Sequence, residues 1–184
     1  MNKAPQQRNP RSPHSTVVMG TLLLTLMIWA GVATCSTQTT LNNESANNLT
    51  QAKASLDHGQ YANAEKQLRD HLAAHPSDVE AKYLLAFALF KENKPADSLK
   101  EYTEAAKQRP PQASDLKAVA LDYVLLNDYT DADHWIRYSL SMDANDAEAW
   151  YEAGRIEYTL NQFQSALSAF QKSLQLDPAS VKAW

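Results

Sequence analysis

Residues of the same kind recur every 34 positions along most of this 184-residue chain. When the copies are aligned, five sets of equivalent positions hold similar residues. Two sets are small (Ala52, Ala86, Ala120 and Gly154; Ala64, Ser98, Ala132 and Ala166), and one is large (Leu68, Tyr102, Ile136 and Phe170). We call each set a column; the other two columns hold cyclic side chains (Tyr61, Pro95, Tyr129 and Phe163) and prolines (Pro76, Pro110 and Pro178). A fixed period of this length indicates a repeat protein, in which each copy folds as one supersecondary unit and stacks on its neighbours.

Each copy is predicted to form two helices. In the last copy, residues 147–160 carry apolar or small side chains at helical spacing, Asn161 and Gln162 interrupt the pattern, and residues 165–176 resume it. The small residues allow the two helices to approach closely, and the larger side chains fill the space between neighbouring pairs. Pro178 then ends the second helix, since proline cannot continue it.

This pattern resembles the tetratricopeptide repeat. The last copy carries five residues at that family's spacings: Trp150, Gly154, Ala166, Phe170 and Pro178. Glu157 departs from the family, which usually has an aromatic residue there, whereas Tyr123 fills the same position one copy earlier. The resemblance implies an all-α fold, a right-handed superhelical solenoid of antiparallel helix pairs. Such a fold is a scaffold for many different sites and says little about which one is present.

We place four units at 45–78, 79–112, 113–146 and 147–180. Residues 181–184 begin a further unit, because Trp184 follows Trp150 by 34 positions. Solenoids normally end with a helix whose outer face is polar, so the apolar side of the last helix (Leu167, Phe170 and Leu174) would be partly uncovered here. We therefore expect that the natural chain continues beyond Trp184 or that this end packs against another molecule.

The N-terminus has the pattern of an export signal. No charged residue lies between Arg11 and Glu44, and residues 17–34 are almost continuously apolar. Basic residues before such a run are typical of a secretory signal peptide or a membrane anchor. We assign residues 1–35 to this segment and residues 36–44 to a polar linker.

Cys35 ends the apolar run. The preceding residues, 32–34, resemble the lipobox of bacterial lipoproteins, which implies diacylation of Cys35, although Thr34 stands where that family prefers glycine, alanine or serine. Three outcomes remain open: lipidation of Cys35, retention of the segment as an anchor, or simple cleavage. Each predicts a location in the bacterial cell envelope, in the periplasm or on the exported side of the inner membrane, and the first two attach the chain to the membrane through its N-terminus.

Composition argues against several functions. The net charge of −4 disfavours nucleic-acid binding, which requires a basic face. The four glycines provide no phosphate-binding loop, and no nucleophile motif is present, so we predict no enzyme activity, cofactor or small-molecule substrate. His71 and His75 have a spacing that suits a metal, but the sequence near them offers no further His or Cys ligand, and we predict no metal site.

The family resemblance implies a concave groove lined by the first helix of each pair, which holds a partner peptide. Mapped onto this sequence, the groove residues are Tyr83, Phe87, Lys117, Leu121, Tyr151 and Arg155. Phe90, Val124 and Tyr158 lie on the same face, but we expect them to pack between helices. An aromatic groove with two cations suits an apolar peptide that carries an acidic group.

The sequence therefore predicts a non-enzymatic protein–protein interaction scaffold at the bacterial envelope. It would bind a partner peptide segment in the concave groove and assist the assembly of an envelope complex. Two alternatives remain: a self-associating structural module, or the N-terminal part of a longer sensor or enzyme.

Overall fold

The computed structural model describes residues 48–179, in which all regular structure is helical and no strand occurs. Eight helices are present in this range: α1 (48–57), α2 (Tyr61–Ala74), α3 (Val79–Lys91), α4 (Pro95–Ala106), α5 (Ala113–Leu125), α6 (Tyr129–Met142), α7 (Ala147–Thr159) and α8 (Phe163–Leu176). The all-α solenoid predicted from the repeat is thereby confirmed.

Successive helices pack as pairs, and each pair packs on the next. Within pairs, α3 contacts α4, α5 contacts α6 and α7 contacts α8. Neighbouring pairs are joined by the contacts of α2 with α3, of α4 with α5 and of α6 with α7. The first helices α3, α5 and α7 begin at Val79, Ala113 and Ala147, so each begins 34 residues after the one before. Helices α3 and α5 also contact each other directly, which places two first helices side by side.

The core is built from the columns of small and large residues. Each of the first three units contributes one such pair to a separate buried cluster. The pairs are Ala52 with Leu68, Ala86 with Tyr102, and Ala120 with Ile136. A small residue on the first helix thus faces a large residue on the second in each of these pairs. Because the two columns share one period, the same contact is repeated along the solenoid.

Acidic residues cap the first turns of several helices. The carboxylates of Asp78, Asp128 and Asp146 precede α3, α6 and α7, and each accepts a hydrogen bond from a backbone N–H three residues later, at 3.1, 3.2 and 2.9 Å respectively. An aspartate at this position satisfies an N–H group that has no partner within the helix. These acids therefore serve as helix caps.

The turn inside each helix pair contains one residue with a left-handed backbone. The residues are Gly59, Asn93, Asn127 and Asn161, with φ between +60° and +69°, and they form a further column with the same period. At the third of these turns, the N–H of Asp128 donates to the carbonyl of Tyr123 at 2.9 Å. This bond closes the helix end in the manner of a Schellman motif, for which glycine and asparagine are the favoured residues.

Substitution of Asn127 tests the role of this column. Asn127→Ala is expected to lower the free energy of unfolding by about 1 kcal/mol, because a β-carbon disfavours positive φ and alanine lacks the polar side chain that tolerates it. Asn127→Gly is expected to be neutral or slightly stabilising. Urea unfolding of both variants is the measurement. Equal stability of the alanine and glycine variants would show that backbone conformation does not limit this turn.

Several predictions concern residues outside the described range of 48–179. They are the signal or anchor at 1–35 with Cys35, the linker at 36–44, the first residues of the first unit, residue 180 of the fourth unit, and the start of a further unit at 181–184. Among residues 48–179, none of the helices combines the length and apolar character needed to cross a membrane.

Candidate peptide-binding groove

A groove with a volume of about 740 Å³ runs along α3 and α5. Its floor is largely apolar and includes Leu84, Phe87, Phe90, Ala118 and Leu121. Charged side chains line the remainder, with α7 contributing Glu148 and the connection between α4 and α5 contributing Arg109. The first helices of three successive pairs therefore share this surface, which can accommodate a few residues of a peptide.

The structure brings four of the six predicted groove residues together. Tyr83 and Phe87 line the groove from α3, and Lys117 and Leu121 line it from α5. All four lie on first helices, which is the face that the repeat pattern predicts. Tyr151 and Arg155, on α7, do not line this groove.

Tyr83 is more deeply buried than its sequence position suggested. Only 5% of its surface is exposed, and it belongs to the core cluster formed by α3, α4 and α5. Its hydroxyl donates to the backbone carbonyl of Arg109 at 2.6 Å, and the Arg109 guanidinium lies 4.4 Å from the centre of its ring. Burial raises the pKa of the Tyr83 phenol above its usual value. Tyr83 therefore supports the groove wall and offers a partner little surface.

Lys117 is held by two carboxylates. Its Nζ atom lies 2.8 Å from Asp146 Oδ2 and 2.9 Å from Glu148 Oε2. Burial disfavours the charged form of Lys117, but these two hydrogen bonds outweigh it and raise the pKa of the ammonium group. Lys117 thus bridges α5 to the start of α7. From the sequence we expected it to orient an acidic group of the partner, but its ammonium group is already paired with two carboxylates of the chain.

Tyr151 and Arg155 interact within the last helix pair. The Tyr151 ring packs against the ring of Phe170, with 5.8 Å between centres. Arg155 is paired with Glu152 at 2.7 Å and lies over Tyr151, with 5.9 Å from the guanidinium carbon to the ring centre. The predicted cationic pair of Lys117 and Arg155 is therefore not assembled in one groove.

The three residues expected to pack between helices differ in their surroundings. Phe90 packs against a core cluster and also lines the groove, and Val124 packs against the core formed by α5, α6, α7 and α8. The expectation for Tyr158 is wrong, because 62% of its surface is exposed and its ring contacts that of Phe163, the first residue of α8. Repeat position alone does not distinguish these cases, since burial depends on whether a neighbouring helix covers the side chain.

Two cations of the groove were missed by the sequence analysis. Lys91, the last residue of α3, lies 5.3 Å and 5.2 Å from the ring centres of Phe87 and Phe90. Arg109 comes from the connection between α4 and α5, where no helical period predicts its direction. Lys91 was detectable in principle, because it follows Phe90 directly and lies four residues after Phe87 on one helix.

Three carboxylates lie at the end of the groove away from Lys91. Glu80, Asp115 and Glu148 lie near the first turns of α3, α5 and α7. Burial raises the pKa of the Asp115 carboxyl, against the opposing effects of a hydrogen bond from the Gln112 N–H and the charge of Arg109. The carboxylates near the helix N-termini are therefore matched by nearby cations, whereas Lys91 lies at the other, apolar end of the groove.

The histidine pair has a structural role. His71 is buried in α2, and its Nε2 atom lies 2.7 Å from Asp78 Oδ2, on the residue that caps α3. The ring of His75 lies 5.0 Å from that of His71 between centres. Within residues 48–179, no group of three metal-ligating side chains is found. The His71–Asp78 contact links α2 to the start of the next helix pair.

Sequence and structure comparisons agree with this architecture. Tetratricopeptide repeat family models match residues 49–114 and 147–180, which together make up more than half of the chain. FK506-binding protein 59 of Drosophila melanogaster is 34% identical over 65 residues, a match that covers 35% of this chain and 15% of the relative. The chain thus spans a small part of that relative's length, and the similarity concerns the repeats.

Two solved structures have the same fold. The crystal structure of MamA protein superposes with a TM-score of 0.67 at 15% identity, over 77% of this chain and 78% of MamA. YrrB, a TPR protein described as having an unusual peptide-binding site, superposes with a TM-score of 0.66 at 16% identity, over 76% of this chain and 72% of YrrB. Such repeats are typically non-enzymatic modules that bind other proteins. The chain belongs to the tetratricopeptide repeat family.

Proposed function

We propose that this protein is an interaction scaffold that binds a peptide segment of a partner protein in the groove along α3 and α5. The observation that carries the proposal is the groove itself, a preformed concave surface of about 740 Å³ with an apolar floor and charged ends. Burial of an apolar side chain on the floor supplies affinity, and the charged ends supply orientation. Because helix packing already orders the walls, little conformational entropy is lost from the scaffold on binding.

We further propose that the scaffold acts at the exported face of a bacterial membrane and assists the assembly of an envelope complex. The support is the sequence of the N-terminal segment, an apolar run preceded by basic residues and ended by Cys35. Membrane fractionation of cells expressing the native chain, combined with protease accessibility in spheroplasts, tests this part. Recovery of a protease-resistant protein in the cytosolic fraction would contradict it.

Photo-crosslinking in the native cell tests the groove. A photoreactive phenylalanine analogue is placed at Phe87 on the groove floor, and the matched control carries it at Gln171, an exposed residue of α8. We expect one envelope protein to be captured from position 87 and not from position 171. Adding Leu121→Asp, which puts a charge on the apolar floor, should abolish capture while the helical circular dichroism is retained.

Other results have definite meanings in this experiment. Equal capture from both positions would exclude the groove as the binding surface. Crosslinks only between copies of the chain would contradict partner binding and favour the self-associating module. Capture that survives Leu121→Asp would place the contact elsewhere on α3.

A further inference from the structure

We propose that the groove selects peptides in which an apolar side chain lies close in sequence to a carboxylate, with the apolar group on Phe87, Phe90 and Leu121 and the carboxylate on Lys91. This inference rests on the proposed function and names the chemistry of its partner. From the sequence we expected Lys117 and Arg155 to attract the acidic group of the partner. We now assign this role to Lys91, the last residue of α3.

Lys91 has the surroundings of a recognition cation. It is exposed, it lines the groove, and it forms no ion pair with any residue between 48 and 179. Its ammonium group lies close to two aromatic rings, 5.3 Å from Phe87 and 5.2 Å from Phe90. These contacts hold the charge beside an apolar surface, where an incoming carboxylate is less screened by water than at an open surface.

The other cations of the groove are already engaged. Lys117 bonds to both Asp146 and Glu148, so a partner acid would have to displace a carboxylate to reach it. Arg109 is only partly exposed, and its guanidinium lies over the Tyr83 ring and close enough to Asp115 to act on the pKa of that carboxyl, so its charge is already partly matched. Lys91 is therefore the cation that can take a new partner at the lowest cost.

The charge distribution also sets a direction. Glu80 and Lys91 both line the groove and lie near opposite ends of α3, about 16 Å apart at the helical rise per residue. An extended peptide of about five residues spans this distance. A carboxylate at the Lys91 end meets a cation that has no ion pair within residues 48–179, whereas at the other end Lys53 already pairs with Glu80 and Lys117 with Glu148, so a carboxylate gains little there. The acidic group of the partner therefore lies beside Lys91.

An array of immobilised synthetic heptapeptides tests the inference, with the full-length chain in mild detergent as the probe. The central residue is Phe, Leu or Ala, and its neighbours on either side are Asp and Glu, their amides Asn and Gln, or Lys and Arg. We expect peptides with a central Phe or Leu to bind, and acidic flanks to strengthen binding about fivefold over amide flanks.

Charge reversal assigns the preference to one residue. Lys91→Glu is expected to reverse the order, so that basic flanks bind better than acidic ones, and Lys91→Gln should remove the preference without abolishing binding. Lys100→Glu is the matched control, because Lys100 is exposed on α4 and does not line the groove. It carries the same change of net charge and should leave the order unchanged.

The outcomes separate this inference from the proposed function. If Phe and Leu peptides bind but acidic flanks give no advantage, or if Lys91→Glu leaves that advantage intact, the role of Lys91 is wrong and the groove remains a binding site. If Phe and Leu peptides bind no better than Ala peptides, the groove does not bind apolar peptides and both proposals fail. Reversal by Lys100→Glu as well would show a nonspecific effect of net charge and overturn the assignment.

Discussion

Gly154→Ala is expected to destabilise the last helix pair by about 1–2 kcal/mol, although the same change usually stabilises a helix interior. A β-carbon at position 154 would lie 2.6, 2.7 and 2.9 Å from three ring carbons of Phe170. Carbon atoms in contact are normally about 3.5–4.0 Å apart, so the ring or the helix must move. The Phe170 ring has limited freedom because it also packs against Tyr151.

The other helix pairs provide a comparison for this close contact. In the third pair, Ala120 and Ile136 occupy the same two repeat positions and lie in one buried cluster. Phe170 is larger than Ile136, and its ring lies directly against Gly154. In the second pair the still larger Tyr102 is accommodated with Ala86, so the need for glycine comes from where the Phe170 ring lies and not from ring size alone. The two positions are therefore coupled, and each should be changed in the background of the other.

A double-mutant cycle measures this coupling. In the Phe170→Ile background, Gly154→Ala is expected to stabilise the protein by about 1 kcal/mol, because the clash is gone and only the helix preference for alanine remains. Urea unfolding followed by circular dichroism gives the four free energies of unfolding. Stabilisation by Gly154→Ala in both backgrounds would show that Phe170 adjusts freely and that the close contact is not limiting.

Asp122→Asn is expected to raise the free energy of unfolding at neutral pH by about 3–4 kcal/mol. Asp122 is fully buried in α5, and neither carboxylate oxygen has a hydrogen-bond partner among the described residues. Burial raises the pKa of Asp122 to about 7, and a nearby hydroxyl, that of Ser98, opposes this shift. The equivalent residue one unit earlier is Ala88, so the repeat does not require a polar side chain here.

The raised pKa predicts the sign of the pH dependence. Because the folded chain binds this proton more tightly than the unfolded chain, the contribution of Asp122 to stability is most favourable below about pH 4, where Asp122 is protonated in both states. As the pH rises from about 4 to about 7, the unfolded carboxyl ionises first, and stability falls by up to about 1.4 kcal/mol per pH unit. Above about pH 7 both states are ionised and the contribution of Asp122 becomes constant.

The difference between wild type and Asp122→Asn isolates this group, because other carboxyls titrate in the same range. Chemical unfolding at several pH values between about 4 and 8 should give curves that lie close together at acidic pH and separate as the pH rises. Asp97→Asn, at an exposed position on α4, is the control and should give a curve parallel to wild type. A constant difference between wild type and Asp122→Asn at all pH values would contradict the prediction.

The sequence determined the fold because the repeat period carries the packing information. Small and large side chains 16 residues apart recur with one step, and each such pair lies in a common buried cluster in the first three units. The left-handed column could have been found in the sequence, since glycine or asparagine occurs at all four positions, but it was not among the predicted columns. In a repeat protein the contacts between units are the same along the chain, because every unit packs on its neighbours in the same way. The pattern within one unit therefore also predicts the contacts between units.

Only the tertiary structure decided which side chains of the groove remain available to a partner. Lys117 and Lys91 are both lysines on first helices, but Lys117 meets two carboxylates that lie 29 and 31 residues further along the chain, whereas Lys91 meets two rings on its own helix. The period places both on the same face and says nothing of these partners. The positions equivalent to Lys117 in the neighbouring units hold Tyr83 and Tyr151, so the period does not specify a lysine there, and its ion pairs appear only when the units are packed together.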